Sequence, residues 1–169
     1  MSKSESTARN AFVGISPVKL ADYLDQSKLV TRTGHNRMVV ADYDQWADSF
    51  ENNFIHALAE NIGFLFPTDR VSIYPRRTSV PIDYQVLLDV VRCDGQLGED
   101  AFLVTRWSIL KGQDKELLAM NRSSIREPVT GSDYVALVAA ESRAGAKLSQ
   151  EIIGAIQAAS QGRLSGQRQ

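Results

Sequence analysis

Hydrophobic and polar residues alternate along three consecutive stretches in the second half of the chain, residues 82–93, 101–110 and 116–126. Alternation is typical of β-strands, and the intervening segments 94–98 and 111–114 contain the Gly and Asp residues that punctuate hairpins. The pattern therefore predicts an antiparallel meander. On its first strand one face is mixed, and the other is wholly apolar and is expected to line the core: Ile82, Tyr84, Val86, Leu88 and Val90.

Apolar residues recur at helical spacing in two other places. The first helix is expected to begin at a cap formed by Asp44 or Asp48 and to end at Pro67. Its apolar stripe comprises Phe50, Phe54, Ile55, Leu58, Ile62 and Leu65. The second helix is expected to begin at a cap formed by Ser132 or Asp133. Its apolar stripe comprises Tyr134, Leu137, Val138, Leu148, Ile152 and Ile156.

Shorter elements are predicted in the first half of the chain. Residues 12–20 read as a strand in which Pro17 indicates an edge strand or a strand end. Residues 29–33 and 37–41 form a predicted hairpin around the Gly-His-Asn tripeptide 34–36, whose residue types tolerate positive φ.

With a short strand over residues 71–74, these elements predict an α/β or α+β fold. A mixed β-sheet with an antiparallel meander packs against two principal helices in a single-domain sandwich. The domain is expected to cover residues 12–159, between a polar segment over 1–11 and a polar, frayed tail over 160–169.

The composition is that of an ordinary globular protein, with 43% hydrophobic and 23% charged residues among 169. A net charge of −1 gives no electrostatic basis for nucleic-acid binding. No run of about 18 apolar residues occurs, so no transmembrane helix is predicted. The first ten residues are polar and lack the apolar stretch of a signal peptide. Two interpretations follow, a cytoplasmic protein and a trimmed piece of a secreted one.

Motifs for catalysis and cofactor binding are absent from the sequence. It contains no GxxxxGK[ST], GxGxxG, HExxH or GxSxG pattern, so no cofactor and no metal is expected. Its single cysteine, Cys93, lies in an apolar run and is expected to be a buried structural thiol. Arg32, His35 and Arg37 flank a predicted turn where an anion could bind, although charges at a hairpin tip more commonly meet solvent or nearby acids.

A series of motifs nevertheless follows a recognisable order. The first half of the chain contains Gly14, Pro17, Tyr23, Leu24, TRTG (31–34), Asn36, Trp46, Ala47 and LAENI (58–62). The second half contains DRVSIYP (69–75), DYQVLLDVVRCDG (83–95), AFLVTRWSIL (101–110) and DYVALVAAESRAGAKLSQEIIGAI (133–156). This series resembles the PqiC/YmbA family of ABC-type transport auxiliary lipoproteins over nearly the whole chain.

The resemblance implies a non-enzymatic periplasmic lipoprotein tethered to the outer membrane. It would act with the MCE-domain and permease subunits of a lipid transport system, support membrane integrity and form a homo-oligomer. The family's signal peptide, lipidated cysteine and first strand are expected to precede Met1 in the native protein, so that the chain is interpreted as a trimmed one. No catalytic residue carries over. Structural or interaction roles are predicted for Arg32, Gly34, Asn36, Trp46, Trp107 and Glu141.

Two functions from different classes remain open at this point. One is the envelope transport accessory protein that the resemblance implies. The other is a soluble cytoplasmic domain that binds a small anion or nucleotide through Arg32, His35 and Arg37.

Glu141 falls inside the apolar stripe of the second helix, at the wrong angle for a solvated charge. A buried carboxylate without a partner costs several kcal/mol or takes up a proton. We therefore expect Glu141 to pair with a basic group of the sheet. Arg106 is the candidate, because it lies in the same every-second-residue series as Phe102, Val104 and Ser108, which are expected in the core.

Overall fold

The computed structural model describes residues 11–21, 28–33, 37–45, 50–65, 70–73 and 81–166. Eight strands in this part of the chain form one mixed sheet. They are Val13–Ile15 (β1), Lys19–Leu20 (β2), Lys28–Thr33 (β3), Arg37–Gln45 (β4), Val71–Ile73 (β5), Tyr84–Gly95 (β6), Asp100–Lys111 (β7) and Leu117–Pro128 (β8). Two helices, Phe50–Leu65 (α1) and Tyr134–Gly166 (α2), pack on the sheet. The α+β class with two principal helices is confirmed.

The meander of β6, β7 and β8 is the largest part of the sheet. Both pairs are antiparallel, with Val86 opposite Ile109 and Leu103 opposite Ile125. The β7–β8 turn folds back on the start of β6, because the Gly112 amide donates to the Asp83 carbonyl at 2.9 Å. The three predicted strands thus lie within two residues of their observed bounds, and the predicted meander is confirmed.

The other edge of β6 is shared by three short elements. β1, β2 and β3 pair with β6 one after another in parallel, and β1 also pairs with β5. β1 is therefore internal, and the prediction of an edge strand over 12–20 is wrong. The alternative, a strand end at Pro17, is confirmed, because this proline separates β1 from β2 and has no amide hydrogen for the ladder. The backbone also confirms the predicted hairpin, as β3 and β4 pair antiparallel.

Both helices cover one face of the sheet, called the inner face. Its core includes the five predicted residues of the first meander strand, all buried. α1 adds Ile55, Leu58 and Ile62, and α2 adds Leu148, Ile152 and Ile156. The predicted Asp133 cap is confirmed, since its carboxylate accepts from the Ala136 amide at 2.9 Å. α2 continues through Gly166, beyond the start of the predicted tail at Ser160.

Trp107 is a core residue of the inner face. Its side chain is only 3% exposed, and its indole Nε1 donates to Ser123 Oγ at 2.8 Å. Ser123 in turn donates to the carboxylate of Glu151 on α2. The predicted structural role of Trp107 is therefore that of a core anchor whose polar atom is satisfied across β7, β8 and α2.

The opposite side of the meander, called the open sheet face, carries exposed side chains. Paired residues of neighbouring strands point to the same side. The register therefore places Leu87, Ser108 and Met120 in one row, and Asp89, Arg106 and Arg122 in the next. Met120 is 69% exposed, so this face combines an apolar row with a row that is mainly basic.

Candidate functional site

A cavity of about 240 Å³ lies between α1 and α2, with the inner face of the sheet as its floor. We call it the α1–α2 cavity. Its lining residues are Asn53, Phe54, Ala57, Leu58, Glu60, Asn61, Cys93, Leu103, Glu141, Ser142 and Gly145. Most of the lining surface is apolar. A mostly apolar lining with a few convergent polar groups is typical of a small-molecule site.

Glu141 is the unusual polar group in this cavity. Its Oε2 atom is buried and has no hydrogen-bond partner. Burial, followed by the negative charge of Asp94, raises the pKa of Glu141 to about 8. The residue as a whole is half-buried, and its Oε2 atom is turned away from solvent, as its place in the apolar stripe predicts. At neutral pH its carboxyl group is mainly protonated, the second of the two outcomes expected for a buried carboxyl without a partner.

The predicted pairing of Glu141 with Arg106 is wrong. Arg106 is exposed on the open sheet face, opposite Asp89 on β6. The side chains of β7 that face the helices are the odd-numbered ones, including Leu103 and Trp107. Within the part of the chain that the structure describes, no basic side chain pairs with Glu141.

A second buried acid, Glu127, forms ion pairs with basic side chains of α2. Glu127 on β8 is only 5% exposed. Arg143 Nε lies 3.3 Å from its Oε2, and Lys147 pairs with its other oxygen. These hydrogen bonds, that of Lys147 first, lower the pKa of Glu127. Arg143 and Lys147 therefore pair with Glu127, and none of the described basic residues forms an ion pair with Glu141.

Cys93 and Asp94 lie on β6 beside Glu141. Cys93 is buried, as predicted, and burial followed by the charges of Glu141 and Asp94 raises the pKa of its thiol well above its usual value. Asp94 is fully buried and is held by Arg92, whose guanidinium nitrogen lies 3.0 Å from Oδ1. Arg92 also stacks over the Phe102 ring at 4.2 Å. The charge of Asp94 is therefore satisfied, whereas the carboxyl group of Glu141 is not.

Of the remaining predicted site residues, Trp107 is the one whose side chain the structure describes, and it is not among the lining residues of this cavity. It lies in the core, linked through Ser123 to Glu151 near the middle of α2. Arg32 and Arg37 lie in β3 and β4, of which only the backbone is described. Residues 34–36, which include Gly34, His35 and Asn36, and Trp46 lie outside the described residues. Their predicted roles stay predictions.

Several lining residues were missed by sequence reasoning. Asn53 and Asn61 of α1 and Ser142 of α2 supply amide and hydroxyl groups to the walls. The position of Glu141 in an apolar stripe was the available signal for this site.

Among the described residues, no group of His, Cys, Asp and Glu side chains is arranged to hold a metal ion. Neither described helix has the length and apolarity needed to cross a bilayer.

The sequence model of the family described as ABC-type transport auxiliary lipoprotein component matches residues 1–153. No curated protein sequence matches the chain. The anion-binding cytoplasmic alternative gains no support from these comparisons.

Solved structures share the fold. A Xanthomonas campestris protein is 18% identical, with a TM-score of 0.77 over 94% of this chain and 90% of that one. A hypothetical protein of Chlamydia trachomatis is 8% identical, with a TM-score of 0.57 over 87% of this chain and 98% of that one. A PelC dodecamer from Paraburkholderia phytofirmans is 9% identical, with a TM-score of 0.56 over 89% of both chains.

Proposed function

This chain belongs to the family of ABC-type transport auxiliary lipoprotein components, and we propose that it is a non-enzymatic subunit of an ABC- or MCE-type lipid transport system. The subunit is tethered to the outer membrane from the periplasmic side and supports membrane integrity. Its partners are the MCE-domain and permease subunits of that system. The observation that carries this proposal is the family match, which covers residues 1–153.

The burial of Cys93 bears on how the proposed lipoprotein is anchored. Cys93 is the single cysteine of the sequence, and it lies in β6 at the floor of the α1–α2 cavity. An acyl chain attached there would have to pass through the core. The lipid anchor of the proposed protein therefore requires a cysteine other than Cys93.

Self-association is part of the proposed function. The open sheet face exposes Met120 and, to a smaller extent, Leu87. Beside it, β8 pairs with β7 alone among the described strands, so that its other edge offers unpaired backbone groups. An apolar row next to a free edge is a surface that a second copy can cover. The dodecamer of PelC, which shares this fold, supports self-association of such domains.

Met120→Glu is expected to convert the assembly into monomers. The new carboxylate would be buried without compensation against a second copy. In the monomer it lies next to the exposed Arg106–Arg122 row and leaves the fold intact. Light scattering coupled to size exclusion measures the mass, and the wild-type chain is expected at a multiple of the monomer mass.

Val135→Glu is the matched control. Val135 is 77% exposed in the first turn of α2, away from the open sheet face, and an acid there is favourable near a helix N-terminus. The assembly is expected to survive this change. A wild-type chain that is monomeric at all concentrations, or equal masses for the two variants, would contradict assembly through the open sheet face.

A further inference from the structure

The titratable side chains that line the α1–α2 cavity, among the residues that the structure describes, include two acids and no lysine, arginine or histidine. The two acids are Glu60 and Glu141. Asp94 lies close enough behind the floor to raise the pKa of Glu141. A phosphate or a carboxylate entering the cavity would meet repulsion from Glu60 and from Glu141 in its ionised form. A cation would be attracted by them.

Glu141 is the group such a cation would meet. Its Oε2 atom is buried at the cavity wall and lacks a partner, although buried polar atoms in folded proteins nearly always have one. A bound ammonium group can donate hydrogen bonds to both carboxylate oxygens. It would also supply the positive charge that the neighbouring basic residues give to Glu127 instead.

The rest of the cavity suits an apolar chain. Phe54, Leu58 and Leu103 contribute to a lining that is mostly apolar. The volume of about 240 Å³ exceeds the roughly 150 Å³ of an engineered apolar cavity that binds benzene. A chain of several carbon atoms therefore fits beside Glu141, while the amides of Asn53 and Asn61 remain near the polar end.

We propose that the α1–α2 cavity binds a primary ammonium ion that carries a short apolar chain, with the carboxylate of Glu141 as its counter-ion. Binding releases the proton of Glu141 to solvent and leaves the ammonium group charged. Among the described residues, the charged and titratable groups near Glu141 are Asp94 and Cys93 on β6 and Glu60 on α1. Asp94 is paired with Arg92, the Cys93 thiol is neutral because burial raises its pKa, and the unpaired acids of the lining favour a cation.

The test is a calorimetric titration with hexylammonium chloride as the probe and 1-hexanol as its neutral counterpart. Since the cation must displace a proton from Glu141, its affinity is expected to rise about tenfold per pH unit below about pH 8 and then level off. Hexanol affinity is expected to be weaker at about pH 8 and to stay constant with pH. Glu141→Gln keeps the shape of the protonated side chain but cannot ionise, so it should lower hexylammonium affinity at least about tenfold.

Two further variants separate cavity binding from general effects. Glu151→Gln removes a charge from the same helix outside the cavity lining and should leave the affinity within about twofold. Gly145→Leu has open space at its Cβ and lies at the cavity wall, so the added side chain should block both probes. Absence of hexylammonium binding would overturn the proposal. Equal binding of the two probes, or unchanged affinity in Glu141→Gln, would show that no ion pair with Glu141 forms and would equally overturn it.

Discussion

Glu141→Gln is expected to change the free energy of unfolding in a pH-dependent way. Relative to wild type, the variant should be more favourable at about pH 7 than at about pH 4 by about 3 kcal/mol. In the folded chain the pKa of Glu141 is raised from 4.5 to about 8. The folded state therefore holds a proton that the unfolded state has already lost. Wild-type stability falls as the pH rises from about 4.5 to about 8, by about 1.4 kcal/mol per unit. A glutamine does not titrate, so the variant does not lose stability in this way as the pH rises.

The measurement is denaturant unfolding of both proteins at several pH values. Glu127→Gln is the matched control with the opposite sign, because Lys147 and Arg143 lower the pKa of Glu127 in the folded state. That pairing contributes stability above the ordinary glutamate pKa, and the contribution is lost as the pH falls. Replacing Glu127 should therefore destabilise the protein at neutral pH. Parallel stability profiles for wild type and Glu141→Gln would show that Glu141 ionises normally.

Gly112→Ala is expected to destabilise the protein by several kcal/mol, through overlap with backbone atoms that cannot move. A Cβ atom at this position would overlap the Ile82 carbonyl oxygen and lie 2.5 Å from its carbon. The backbone there is held by the bond from the Gly112 amide to Asp83. Relief of the overlap would therefore separate the β7–β8 turn from the start of β6.

Gly154→Ala is the control for this substitution. Gly154 lies within α2, and a Cβ atom added to it meets no atom within 4 Å. Alanine is favoured over glycine in a helix interior, so this variant should be more stable by about 0.5–1 kcal/mol. Thermal and denaturant unfolding report both changes. Similar stabilities for the two variants would contradict the close approach at Gly112.

The meander was predictable because its local signals agree. β6 alternates between buried and more exposed residues from Tyr84 to Val90, and Gly and Asp residues mark both turns, so that local pattern and long-range pairing point to the same strands. The break between β1 and β2 was indicated by Pro17 as one of two interpretations. The edge strand stayed open as the other, because apolar Val13, Ile15 and Val18 bracket Pro17 and extend the apparent strand across it.

The face of Arg106 could not be read from the sequence for a physical reason. β7 is apolar on both sides, with Phe102 and Val104 on one face and Leu103 and Trp107 on the other. Alternation specifies which face is buried only when one face is polar. The sequence of β7 therefore contains no pattern that shows whether Arg106 lies on the inner or the open sheet face.

Of the residues singled out from the sequence as candidate site residues, Glu141 is the one that lines the cavity. The helical phase of α2 places Glu141 toward the core, and the structure agrees. The opposing wall comes from Asn53 and Asn61 in α1, about 80 residues earlier in the chain. Which residues of one helix face which residues of another depends on tertiary packing, which a local periodicity does not encode.

If this chain is the proposed lipoprotein subunit of an envelope lipid transport system, the native protein carries an acyl chain and binds transport subunits. The most direct test is quantitative mass spectrometry of the full-length native protein, purified with its bound partners from detergent-solubilised outer membranes. We expect an acylated cysteine other than Cys93, together with MCE-domain and permease subunits in a fixed ratio to the protein. An unmodified protein recovered from the soluble fraction, with no transport subunit bound, would contradict the claim.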